Sequence, residues 1–193
     1  MKCKATVRSI MKARPCYSST QIKSLFRKLK VKVITPKMVA NLNLGNRVKM
    51  DRAVGQCGCS YCMKACIRTD DRLWGLLNCF GLKAQSIRRF MFPAILQLLK
   101  KFWPDAPDLV IQYLKTGRGK VVQAGDELIA IADVTTLTSD QRFLSGLVHR
   151  LITGNAEDVH HSAYVILKMC ADYRIHSVAW YVKKLAEVCE SQK

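Results

Sequence analysis

Between Asp71 and Trp103 the chain leaves almost no polar face. Leu73, Trp74, Leu76, Leu77, Cys79, Phe80 and Leu82 crowd the run until Gly81 and Lys83 interrupt it. A helix that is apolar all round belongs inside a core, so the rest of the chain must pack around this stretch. Ser86 then offers an N-cap, Arg88 and Arg89 follow in the first turn, and Phe90, Met91, Phe92, Ile95, Leu96, Leu98, Leu99 and Phe102 carry the pattern through Pro93. Proline lacks the amide hydrogen an interior turn would use, which predicts either a kink or a fresh helix at that point. The run is too short and too interrupted to span a bilayer.

Charge divides the chain as sharply as hydropathy does. Residues 1–68 hold 16 Lys and Arg against the single acid Asp51, whereas residues 69–193 hold 16 against 13. A block of one sign seeks polyanions, because association releases condensed counterions. Ile22, Leu25, Phe26 and Leu29 fall on one helical stripe and leave Lys23, Arg27, Lys28 and Lys30 on the remaining surface. With Lys32 and Lys37 these form a basic block suited to phosphate contact, to docking on an acidic membrane, or to nuclear import. Arg88 and Arg89 are secondary candidates. Thr35 and Pro36 mark a helix start, and Gly45 a stop. Met1 to Ser18 shows no sustained period, which predicts a loosely ordered basic arm.

Nine cysteines, an odd number scattered among helical patterns, point to a reducing compartment and mostly free thiols. Cys57, Cys59, Cys62 and Cys66 form the one cluster with metal-ligand spacing. Zinc is the metal it would take, but four thiols within ten residues leave little chain to wrap a tetrahedron unless Cys3, Cys16, Cys79 or a histidine joins two of them. The alternative is a Gly- and Cys-containing turn leading into a helix with buried thiols. No other cofactor is expected. Gly-rich phosphate loops, G-x-S-x-G elbows and H-x3-H pairs are missing from the sequence, and no enzyme is expected. His160 and His161 read as first-turn polar residues, His149 as interfacial, and Cys170 as core.

Downstream, Trp103 to Asp108 spells a turn and an acidic helix start, and Leu109 to Leu114 runs to a stop at Gly117. Asp126 to Val134 fits both periods poorly and is assigned to helix from its neighbours. Ser139 caps a helix carrying Phe143, Leu144, Leu147, Val148, Leu151 and Ile152, ended by Gly154. Val159, Ala163, Ile166, Cys170 and Tyr173, then Val178, Val182, Leu185 and Cys189, mark two more. The expected fold is all-α, a multi-helix bundle of two packed helical subdomains with a basic amino-terminal arm. Its regions are a basic, cysteine-containing 1–68 and a helical core over 69–193, with central helices over 69–117 and a carboxy-terminal bundle over 126–193.

The order of elements from Leu73 to Ser177 resembles the helical amino-terminal domain of influenza-type orthomyxovirus matrix proteins. The features that carry it are the glycine-containing apolar helix Leu73–Phe80, the helix opening with Arg88, Arg89 and Phe90, and the turn at Pro104 and Asp105. Ser145, Gly146, Leu147, Leu151 and Ile152 then precede the Gly154 turn and the helix of Val159, Ala163, Ile166, Leu167 and Cys170. The family's basic nucleic-acid and import helix has no direct counterpart after Tyr113, where Arg118 and Lys120 stand alone; that role falls instead, on charge, to the Arg27–Lys37 block. The resemblance implies a structural protein that forms homo-oligomers beneath a viral envelope and bridges an anionic membrane surface and viral ribonucleoprotein or RNA. It implies a virion, host-cytoplasmic, membrane-peripheral and nuclear distribution, with no small-molecule substrate. The runner-up is a nucleic-acid-binding viral or organellar protein with a zinc-supported amino-terminal module.

Overall fold

The structure, a computed structural model, describes residues 3–13, 15, 17–42, 71–132 and 137–192. Among these residues the fold is all-α, with ten helices and no strand beyond an isolated antiparallel bridge between Ala5 and Ile34. The multi-helix bundle expected from the sequence is therefore what forms. Two compact units divide it, Met1–Leu82 with Ala179–Lys193, and Lys83–Val178.

The first unit holds α1 (Val7–Lys12), α2 (Ser19–Lys28), α3 (Pro36–Ala40), α4 (Asp71–Cys79) and, from its second residue, α10 (Val178–Ser191). Within the stretch expected to be a loose arm, α1 forms because Thr6 and Ser9 cap each other. The Ser9 amide donates to Thr6 Oγ1 at 3.2 Å and the Thr6 amide to Ser9 Oγ at 2.8 Å. Ser18 and Gln21 repeat the arrangement at α2, whose Ile22 and Phe26 are buried while Leu25 and Leu29 are half-buried. Thr35 caps α3, with Pro36 in the first turn, as the sequence suggests; the helix stops at Ala40, and Gly45 lies outside the described residues. Leu73, Leu76 and Leu77 of α4 are buried, and a Cβ on Gly75 would sit 3.7 Å from Val39 Cγ1, so α3 lies close to α4. The Cys189 thiol of α10 donates to the Leu76 carbonyl at 3.5 Å, and burial pushes that thiol up to about 12, which keeps it protonated as the donor.

The second unit is α5 (Ala84–Phe102), α6 (Asp108–Thr116), α7 (Val121–Ala132), α8 (Ser139–Thr153) and α9 (Ala156–Asp172). Helix α5 begins earlier than expected, with Lys83 as its N-cap and Ser86 already inside. It runs unbroken past Pro93, so no new helix starts there; the proline is exposed, and the Arg89 carbonyl lacks the amide partner it would otherwise have. Ile87, Met91, Ile95, Leu98 and Leu99 form its buried face. The segment of uncertain period around Asp126 to Val134 is helical through Ala132, and Val134 lies outside the described residues. Thr138 rather than Ser139 caps α8, paired with Gln141; Asn155 caps α9, paired with Asp158. Gly125 lets α7 approach α8 closely, since a Cβ there would meet Thr153 Cγ2 at 2.4 Å. Helix α7 packs on α8, α8 on α9, and α9 returns to α5.

Candidate polyanion interface

Helix α2 turns Ile22 and Phe26 inward, which by helical spacing leaves Lys23, Arg27 and Lys28 in solvent. Its end is closed by a turn in which the Val31 amide donates to the Phe26 carbonyl at 3.1 Å and the Lys30 amide to Arg27 at 3.0 Å. That turn needs a left-handed residue, and Lys30 occupies it with φ +52°, where glycine is usual. A cation is thereby held at the negative end of a helix. Lys32 follows in the connection, and Lys37 sits in the first turn of α3. The bridge between Ala5 and Ile34, closed by two hydrogen bonds of 2.9 Å, brings the chain around Lys4 beside the segment between Lys32 and Lys37.

All nine described cations between residues 3 and 42 are exposed: Lys4, Arg8, Lys12, Lys23, Arg27, Lys28, Lys30, Lys32 and Lys37. No acidic residue occurs in that stretch. Helices α1, α2 and α3 consequently have no acid in their first turns, although the positive end of a helix favours one there. The charge pattern thus forgoes a source of helix stability. Lys4, Arg8 and Lys12 are absent from the block read from the sequence, because a period search finds no stripe around them; the acid-free composition of the first 50 residues is the signal that includes them.

Arg88 and Arg89 belong to the other unit and differ from each other. Arg88 is half-buried, with Nε donating to the Leu151 carbonyl at 2.7 Å and Nη2 to the Gly154 carbonyl at 2.9 Å. It closes the C-terminal end of α8, where a cation is doubly favoured by the carbonyls and the helix dipole. Arg89 is exposed. Cys57, Cys59, Cys62 and Cys66 lie outside the described residues, as does Cys16. Among the described residues there is no group of three or more His, Cys, Asp or Glu side chains placed to hold a metal, and no helix long and apolar enough to cross a membrane.

His149 and His161 of the second unit are half-buried and Cys170 is buried. His149 Nδ1 is 2.9 Å from the Gly125 carbonyl, which makes it the protonated nitrogen of a strut between α7 and α8. Burial lowers the pKa of His161 below the usual histidine range, and Arg150 adds to the effect against the pull of Asp158 and Glu157. Cys170 is fully buried, with Sγ 4.0 Å from the Ala94 carbonyl.

No protein-family model, curated protein or solved structure matches the chain.

Proposed function

We propose that this chain is a structural, non-enzymatic protein of matrix type, which adheres through its first unit to acidic membrane and to ribonucleoprotein and assembles with copies of itself. The observation that carries the reading is the run of nine exposed cations over residues 3–42 with no acid among them. Balanced surfaces mix signs, and a face of one sign attracts polyanions at the expense of self-repulsion. The resemblance of Leu73 to Ser177 to orthomyxovirus matrix proteins supplies the assembly and the envelope setting.

Two probes test it, vesicles with and without anionic lipid and a single-stranded RNA of mixed sequence. Flotation should require anionic lipid and weaken as salt rises, since exposed charges are screened over about 8 Å at physiological ionic strength. RNA affinity should fall linearly with the logarithm of salt and show no sequence preference. Changing Lys23, Arg27, Lys28, Lys30, Lys32 and Lys37 to Gln should reduce that slope by at most about four, at roughly 0.7 per lost phosphate contact on a single strand. Equal flotation on neutral vesicles in high salt, together with an unchanged RNA slope, would overturn the proposal.

A further inference from the structure

Helices α1 to α4 enclose a half-open cavity of about 380 Å³ in the first unit. Its walls, among the described residues, are mainly apolar: Ile22 and Leu25 from α2, Ile34, Val39 from α3, and Trp74 and Phe80 at and after α4. The size lies within the usual range of about 300–1,000 Å³ for small-molecule sites. The polar wall residues among those described are Tyr17, Gln21, Ser24, Lys28, Asp71 and Cys79. Tyr17 donates its hydroxyl to the Asp71 carboxylate, so these two wall residues are committed to each other. Gln21 is held in the cap of α2, where Oε1 accepts from the Ser18 amide at 2.8 Å. Among the described residues, Lys28 is the one lining residue that carries a positive charge; it is exposed and makes no hydrogen bond or ion pair among them.

An apolar cavity with one open cation at its edge selects a ligand of matching build. A nucleotide or sugar would bury hydroxyls and ring nitrogens against Ile22, Val39 and Phe80 without partners, which is costly. A neutral hydrocarbon would leave Lys28 unused. The ligand that satisfies both halves is mainly hydrocarbon with a single anionic end. Around it, residues 3–42 contribute exposed cations and no acid, a field that favours an anionic end; Asp71, an acidic wall residue, keeps its charge while accepting from Tyr17, so that end is drawn to Lys28 and away from Asp71.

We propose that this cavity is a binding site for a fatty-acid anion, with the acyl chain between α2, α3 and α4 and the carboxylate at Lys28. The inference stands on the cavity and its lysine and goes beyond the polyanion reading of the surface. Binding is driven by transfer of methylenes out of water, and the head group adds orientation and a modest electrostatic gain.

The test uses dodecanoate brominated on its chain, below its aggregation concentration, with the full chain. Trp74 is one of three tryptophans and the one that lines the cavity. Saturable quenching should appear in the wild type and shrink in Trp74→Phe. In calorimetry with unbrominated acids, removing two methylenes should weaken binding about tenfold. Lys28→Gln should weaken dodecanoate about fivefold and leave dodecanol unchanged. Gly75→Leu, which places a side chain into the cavity from its α4 wall, should abolish both. Quenching that never saturates, an affinity indifferent to chain length, or full affinity in Gly75→Leu would each overturn the site. The chain-length series is read on the wild type, so it decides the matter even if a variant fails to fold. Gly75→Leu keeps every surface cation, and its RNA binding reports separately on the polyanion reading.

Discussion

Residues Met1–Leu82 with Ala179–Lys193 carry 20 basic and 5 acidic residues, whereas Lys83–Val178 carries 12 and 9. Both regions start helices by the same device, a reciprocal cap, at Thr6 and Ser9 and at Ser18 and Gln21 in the first, at Thr138 and Gln141 and at Asn155 and Asp158 in the second. They part at the next step. In the second unit, Asp108, Asp140, Glu157 and Asp158 occupy first turns and complement the helix dipole; α1 to α3 of the first unit have none. The second unit also closes its interior around small residues such as Gly125, Ser145 and Ser162, whereas the first keeps an apolar cavity open beside Lys28. One unit is filled and balanced in charge; the other keeps an open cavity and an excess of cations.

Two glycines test that contrast most severely. Gly125→Leu forces a side chain to where Thr153 Cγ2 and His149 Nδ1 would lie 2.4 Å and 3.0 Å from the new Cβ. Overpacking of this kind should cost about 3 kcal/mol, read as a lowered midpoint in denaturant unfolding. The same change at Gly75, where the nearest atom is 3.7 Å away and the cavity has room, should be neutral or stabilise by up to about 1 kcal/mol through helix propensity. Equal losses at both positions would erase the distinction between a packed unit and an open one.

Arg88→Leu comes next. It removes a guanidinium from two carbonyls at the end of α8, and charge-assisted bonds of that kind are worth roughly 2 kcal/mol. Arg89→Leu, one position along and exposed, should change stability by less than about 0.5 kcal/mol. A stability loss at Arg88 with RNA affinity unchanged would assign this arginine to the architecture of the second unit; a loss of RNA affinity in the still-folded variant would extend the interface to it.

These residues also separate what local sequence determines from what only tertiary packing does. Periodicity marks the apolar stripes, because Ile22 and Phe26, or Val159, Ala163, Ile166 and Cys170, share a helix face by local spacing; how deeply each is buried, as with the half-buried Leu25 and Leu29, is set by the helices packed against them. The exposed cations were legible for a similar reason, since charge is additive along the chain. Helix starts were less secure. Thr138 and Ser139 both carry hydroxyls, and the reciprocal partner Gln141, three residues after Thr138, is what selects the first. Helix α5 starts with no side-chain cap at all, so a search for capping residues passes over Lys83 and stops at Ser86. The inward commitment of Arg88 was not legible, because its partners Leu151 and Gly154 are more than sixty positions away. Nor was the cavity, which exists only once α2, α3 and α4 meet.

The smallest expected effect is the most discriminating, because the two units share the feature it perturbs. Lys30 and Arg174 are the two described non-glycine residues with positive φ, at +52° and +58°. Each follows a helix end in the same hydrogen-bonded turn: Lys30 and Val31 donate to Arg27 and Phe26, and Arg174 and Ile175 donate to Ala171 and Cys170. An L-residue in that conformation costs about 1 kcal/mol or more, and glycine avoids the clash while losing more entropy on folding. Lys30→Gly and Arg174→Gly should therefore each stabilise the protein by about 0.5 kcal/mol, measured as a small upward shift of the unfolding midpoint. Their effects on RNA binding should diverge. Lys30→Gly removes a cation of the acid-free stretch 3–42 and should lower the salt slope by roughly 0.7, whereas Arg174→Gly should leave it where it was. If both substitutions stabilised and neither moved the slope, Lys30 would be strained for no gain in binding, and the interface would have to be drawn without it.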